Sequence, residues 1–206
     1  MRPLGFGGIL KSMPRIAADS IVENRDQRHA ALLEAAANIA QSEGIEAATV
    51  SAIAKRAGLA RSSFYSYFNS AADVIADVLV DELDVLREML VDRLKGLTNP
   101  TDIVRVWIDV SLGYVVDGRH AFVRAAAKVN LPPARHAQLT AMHRDMMTPL
   151  VEALSRARVR QPIRTAQFIS AAVDVCVRRI ESGAPADEEV SATIAFVLRG
   201  LSLHSG

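Results

Sequence analysis

The sequence predicts an all-α protein of about nine helices, and three observations carry that prediction. Apolar–polar alternation of the kind that marks strands is nearly absent. Ala, Leu, Arg and Glu dominate the stretches between turn markers. Gly, Asn and Pro punctuate the chain at spacings that suit helices joined by short loops.

Taken in order, residues 1–24 read as a flexible N-terminal arm. Its apolar stretch is broken by Gly and Pro, ends at Lys11 and lacks a convincing cleavage site, so it mimics a secretory signal only faintly. Met13 serves equally well as a start. A first helix is expected from near Arg25 to Gly44, and Gly58 separates two short helices that follow. Asn69-Ser70 introduces a long fourth helix reaching Lys95, where Gly96 and Asn99-Pro100 stop it. Further helices are expected over about 101–117, 120–129, 134–158, 163–182 and 187–204, with Pro149 bending or interrupting the seventh. No repeat at a solenoid period is present.

At 206 residues the chain suits one large or two small domains. A chain of that size buries roughly 70% of its unfolded surface and needs no disulfide or metal staple. The 24 basic residues balance 23 acidic ones, which excludes an acidic disordered chain and a uniformly basic coat for nucleic acid. Cys176 is the only cysteine, which excludes an intrachain disulfide and fits a reducing cytoplasm. It reads as a small buried hydrophobe. No apolar run approaches the roughly 18 residues of a bilayer span, so no membrane partner is expected.

The fourth helix carries an apolar stripe of Ile75, Leu79, Leu83, Leu86, Leu90 and Leu94. Asp73, Asp77, Asp81, Asp84 and Glu88 form its acidic face. That face reads as solvated, because nothing apolar is placed to shield it.

The balanced net charge conceals a local patch. Between Glu46 and Asp73 lie 26 residues without an acid, containing Lys55, Arg56 and Arg61. Thr49 is placed to cap a short helix whose Val50, Ile53, Ala54 and Ala57 share a face. Gly58 supplies a permissive turn. A second short helix is expected over Arg61–Phe68, with Phe64 and Phe68 inward. Ser62 and Ser66 lie opposite them, with Ser63 and Tyr67 at one border and Arg61 and Tyr65 at the other. Hydroxyls and phenols donate to phosphate or base edges, and an arginine reads guanine O6 and N7 in bidentate fashion. On the pattern alone, an ordinary helical hairpin with a polar surface fits better than a DNA reader.

Thr49-Val50-x-x-Ile53-Ala54-x-x-Ala57-Gly58-Leu59-Ala60-Arg61-Ser62-Ser63-Phe64-Tyr65-Ser66-Tyr67-Phe68 resembles the helix-turn-helix signature of the TetR family of transcriptional repressors. The resemblance covers about residues 28–79. It implies an N-terminal DNA-binding domain, here 25–70, followed by a ligand-binding and dimerisation domain, here 71–206. It implies that Thr49, Arg61, Ser62, Ser63, Tyr65 and Tyr67 meet double-stranded operator DNA, and that Phe64 and Phe68 are structural. Two departures stand out. Ala60 replaces a capping Ser or Thr, and Ala71 replaces a phosphate-binding Lys. The missing Lys implies either fewer backbone contacts and a weaker salt dependence, or compensation from Arg25, Arg28 and the basic arm.

The last two helices carry more apolar surface than one core requires. Phe168, Ala172 and Val175 on one, and Phe196 and Leu201 on the other, are the candidate homodimer interface, and the resemblance implies a symmetric four-helix contact. Deep burial within a monomer is the other explanation for that surplus. A small-molecule effector pocket is expected from Trp107, Ser111, Tyr114, Phe122, Met142 and Met146, with His143 as a polar handle. His120, His136 and His143 lack metal-ligand spacing. No catalytic motif is present, so neither cofactor nor catalysis is expected. The sequence therefore reads as a dimeric, effector-released repressor; an all-α ligand-binding or adaptor protein without sequence-specific DNA binding is the alternative.

Overall fold

Two apolar cores, stacked end to end and joined by long helices, organise the molecule. The computed structural model describes residues 15–116 and 120–202. Among these, the order is α1 (Arg15–Glu43), a 3₁₀ turn (Ile45–Ala47), α2 (Val50–Arg56), α3 (Arg61–Phe64) and α4 (Ala71–Leu94). There follow α5 (Pro100–Val116), α6 (His120–Ala126), α7 (Pro133–Arg156), α8 (Pro162–Glu181) and α9 (Ala186–Ser202). No strand occurs among the described residues, as the all-α reading requires.

Local chemistry accounts for most boundaries. Thr49 caps α2 by accepting from the Ala52 amide at 3.2 Å. Ser70 does the same for α4 with the Asp73 amide, while its hydroxyl donates to the Asp73 carboxylate at 2.8 Å. Gly44, Gly58 and Gly96 all adopt positive φ where the chain turns out of a helix.

Two expectations need correction. Helix α1 begins at Arg15 rather than near Arg25, so residues 15–24 of the expected arm are helical; the rest of that arm lies outside the described residues. Helix α3 ends at Phe64 rather than Phe68. Residues 65–67 continue as turns, with the Ser66 and Tyr67 amides donating to the carbonyls of Ser63 and Phe64. Of the bend or interruption expected at Pro149, the interruption is absent, because α7 is continuous over Pro133–Arg156.

The first core joins Leu32, Ala36 and Ile39 of α1 to Ile53 of α2, Phe64, Phe68, and Val74, Ile75, Val78 and Leu79 of α4. Its side chains are almost completely buried, and each large one contributes about 1.5–3 kcal/mol. This core extends past the expected boundary at 70, taking in those α4 residues and Ala126 of α6. The second core gathers Leu90, Trp107, Ile108, Leu112, Leu150, Leu154, Ile169 and Cys176. Cys176 is buried, as its reading as a hydrophobe expects. Helix α7 also serves both cores, with Leu139 against the first and Met146, Leu150 and Leu154 in the second. Arg179 of α8 donates to both carboxylate oxygens of Glu189 on α9 at 2.7 and 2.6 Å. Those bonds hold the Glu189 carboxyl below the usual range.

Candidate nucleic-acid interface

The module built on the first core presents one short polar face. Phe64 and Phe68 point inward with ring centroids 5.9 Å apart, and both are buried. That anchoring fixes the phase of α3. Arg61, Ser62, Tyr65 and Ser66 are exposed, while Ser63 and Tyr67 are partly buried. Tyr67 packs against the first core, so its ring contributes as much to the module's integrity as to its face. Tyr65 meets the edge of Phe64, with centroids 5.6 Å apart and planes at 82°, which braces its exposed phenol.

Charge on this face is selective. Arg56 is occupied by an ion pair with Glu43 at the end of α1. Lys55 and Arg61 are exposed and make no ion pair among the described residues. The acid-free segment thus offers two cations outside ion pairs beside the exposed hydroxyls of Ser62, Tyr65 and Ser66, a set that can neutralise phosphate and donate to base edges. Ala60 sits at the cap of α3 with φ −67° and ψ 146° and makes no side-chain cap bond, as its identity requires. Thr49 is exposed, although its hydroxyl is engaged with its own helix.

The seven residues expected to form an effector pocket separate. Trp107 and Met146 meet in the second core, where the indole Nε1 donates to the Met146 carbonyl at 3.0 Å. The Ser111 hydroxyl turns back to the Trp107 carbonyl at 2.8 Å. Tyr114 is buried, and its phenol donates to Glu82 Oε2 at 2.6 Å. Met142 is partly buried. Phe122, however, packs on the first core, and His143 is exposed. His143 lies seven residues before Leu150, on the same side of α7, yet is exposed where Met146 and Leu150 are buried. Glu82 was missed, because nothing local in the sequence links it to a phenol 32 residues away.

On the outer face of α8 and α9, Phe168 and Phe196 are 67% and 69% exposed, with Val175 half exposed and Ala172 and Leu201 partly buried. A hollow of about 450 Å³ opens there between Val159, Phe168, Ile169, Phe196 and Leu201. No group of three or more His, Cys, Asp or Glu among the described residues is arranged to hold a metal ion. None of their helices is long and apolar enough to cross a membrane.

Comparison with known proteins places this geometry. Residues 32–78 match the family model described as bacterial regulatory proteins, tetR family. YfiR of Bacillus subtilis (strain 168), an uncharacterised HTH-type transcriptional regulator, is 27% identical over 89 residues. That stretch is 43% of this chain and only 40% of the relative's length. Among solved structures, the fatty acid degradation regulator FadR from Bacillus halodurans gives a TM-score of 0.69 at 18% identity, covering 84% of this chain and 96% of that one. AibR, solved with isovaleryl coenzyme A and operator DNA, gives 0.66 at 18% identity over 82% and 97%. At such identities the likeness is one of fold.

Proposed function

We propose that the chain, whose residues 32–78 match the tetR family of bacterial regulatory proteins, is a cytoplasmic, homodimeric transcriptional repressor of that family without catalytic activity. It binds a pseudo-palindromic operator and is released by a small, largely apolar effector. The observation that carries the reading is the polar face of Arg61, Ser62, Tyr65 and Ser66, exposed at the end of an acid-free segment and held in phase by Phe64 and Phe68. Arg61 is the side chain suited to a bidentate contact with guanine, while Lys55 and the hydroxyls position the module on the backbone.

Dimerisation is supported by the bare α8–α9 face. Two phenylalanines about two-thirds exposed, beside an open apolar hollow, are a liability in a lone subunit and an asset in a symmetric pair. A twofold pair places two reading faces about one DNA turn apart, roughly 34–36 Å, which is why the operator is pseudo-palindromic.

For the effector, two neighbours of the same fold point to acyl chemistry: FadR is described as a fatty acid degradation regulator, and AibR was solved with isovaleryl coenzyme A. Acyl thioesters are therefore the first class to try. The contact between α5 and α7 is the site proposed for them, with Trp107, Ser111 and Tyr114 on α5 and Met142 and Met146 on α7. The test is retardation of DNA from upstream of the protein's own coding region against competitor DNA, with and without short- and long-chain acyl-coenzyme A. Selective retardation relieved by one acyl thioester supports the reading. Equal retardation of all DNA overturns it and favours the adaptor alternative.

A further inference from the structure

The acidic face of α4 is not uniformly solvated as its sequence suggests. Asp77 lies between three helices. Its Oδ1 forms an ion pair with Arg135 Nη2 of α7 at 2.6 Å, while Arg135 Nη1 donates to Gln138 Oε1 at 3.1 Å, and its Oδ2 lies 3.7 Å from His29 Nε2 of α1. The His29 ring in turn stacks on Phe68, with centroids 4.8 Å apart and planes 27° from parallel. Phe68 touches Phe64, the anchor of the recognition helix. Of the ion pairs among the described residues, Asp77–Arg135 alone has both side chains less than a third exposed, so water screens it least.

The position of this pair matters more than its strength. Helices α4 and α7 each contribute to both cores, and the pair ties them together at the end where they meet the DNA-reading module. We propose that Asp77 is a positioning residue: clamped between Arg135 and His29, it fixes the angle of the module on the body and transmits movement of α7 to Phe68 and the recognition helix. The consequence for DNA rests on the repressor reading above; the clamp itself does not. A shift of α7 that withdraws Arg135 leaves Asp77 with only the more distant imidazole, and the His29–Phe68 stack loses its fixed support.

The test needs neither operator nor effector. Nitroxides are placed on Ser62→Cys in the module and Glu152→Cys in the body, both exposed positions, while the buried Cys176 is left in place. Labelled protein is diluted with unlabelled chain so that pulsed electron resonance reports distances within one subunit. Asp77→Asn and Arg135→Gln should each broaden the distance distribution about twofold, and the double variant should be no broader than either. Arg135→Lys, which keeps the charge, should restore most of the narrow distribution, a rescue that a purely space-filling role would not give. Distributions as narrow as the parent's in folded Asp77→Asn and Arg135→Gln proteins overturn the clamp. So do widths that add in the double variant. Arg135 lies on the partly exposed side of the pair, so Arg135→Gln carries the test by itself if Asp77→Asn does not fold. Either result leaves the DNA-binding reading to its own assay.

Discussion

Restoring the missing cap at Ala60 is the sharpest single perturbation the structure offers. The backbone at Ala60 is already of the capping kind, close to that of Thr49 with its φ −82° and ψ 158°. The position is exposed, so a hydroxyl there meets no apolar wall. A full N-cap contributes about 0.5–2 kcal/mol. Here the gain falls in the lower half of that range, because the Ala60 carbonyl already accepts from both the Ser63 and Phe64 amides at 2.9 and 3.2 Å. Ala60→Ser should therefore stabilise by about 0.5–1 kcal/mol. With about 2.1 cal/mol/K of unfolding entropy per residue over 206 residues, that raises the thermal midpoint by about 1–2 °C. Urea titration and calorimetry on parent, Ala60→Ser and Thr49→Ala read the effect. Thr49→Ala, which removes a cap bond that exists, should lose about 1 kcal/mol and calibrates the assay. If Thr49→Ala loses stability and Ala60→Ser gains none, the turn after Gly58 is already satisfied and the reasoning fails.

Arg61→Ala should weaken the cognate operator by about 1–3 kcal/mol, roughly 5- to 150-fold, and random DNA hardly at all; equal losses on both would make Arg61 a phosphate contact. Phe168→Glu or Phe196→Glu, each placing a charge on the α8–α9 face, should shift sedimentation from dimer to monomer and abolish operator retardation; a dimer that survives both substitutions would move the interface elsewhere. Asp81 titrates above the usual carboxylate range, chiefly through partial burial and then through the charge of Asp77, with His29 opposing. Its ionisation therefore costs stability that is absent at pH below about 3.8 and is incurred as pH rises through the raised value. Asp81→Asn should accordingly stabilise the protein at neutral pH and not in strong acid, and a pH-independent effect in urea titrations would refute that cause.

Short-range chemistry was legible in the residues, and long-range chemistry was not. Thr49, Gly58 and the Phe64/Phe68 phase define the module because each acts within one turn of itself. The excess of apolar residues on α8 and α9 was also visible, and Phe168 and Phe196 emerge exposed on that surplus. The early start of α1 was hidden because residues 23–28 are all exposed, leaving no apolar spacing to mark a helix. Asp77 looked like one more solvated carboxylate because Arg135 lies far along the chain. The separation of Phe122 from Trp107 and Met146 was hidden for a related reason. Periodicity says that a side chain is apolar or sits near a face, but not which of two cores receives it.

Helix α4 also limits how this protein can be taken apart. Val74, Ile75, Val78 and Leu79 complete the first core, while Leu90, on the same unbroken helix, serves the second. The loop before Ser70 looks like a natural seam, yet a cut there strands four apolar side chains on the wrong fragment and opens the floor of the other. A reading head grafted onto a foreign body should instead be joined inside α4, between Leu79 and Leu90, with the helical register kept so that the transplanted face meets its seat. That seat includes Phe122 and Val123 of α6 and Leu139 of α7, so the recipient has to supply their equivalents as well.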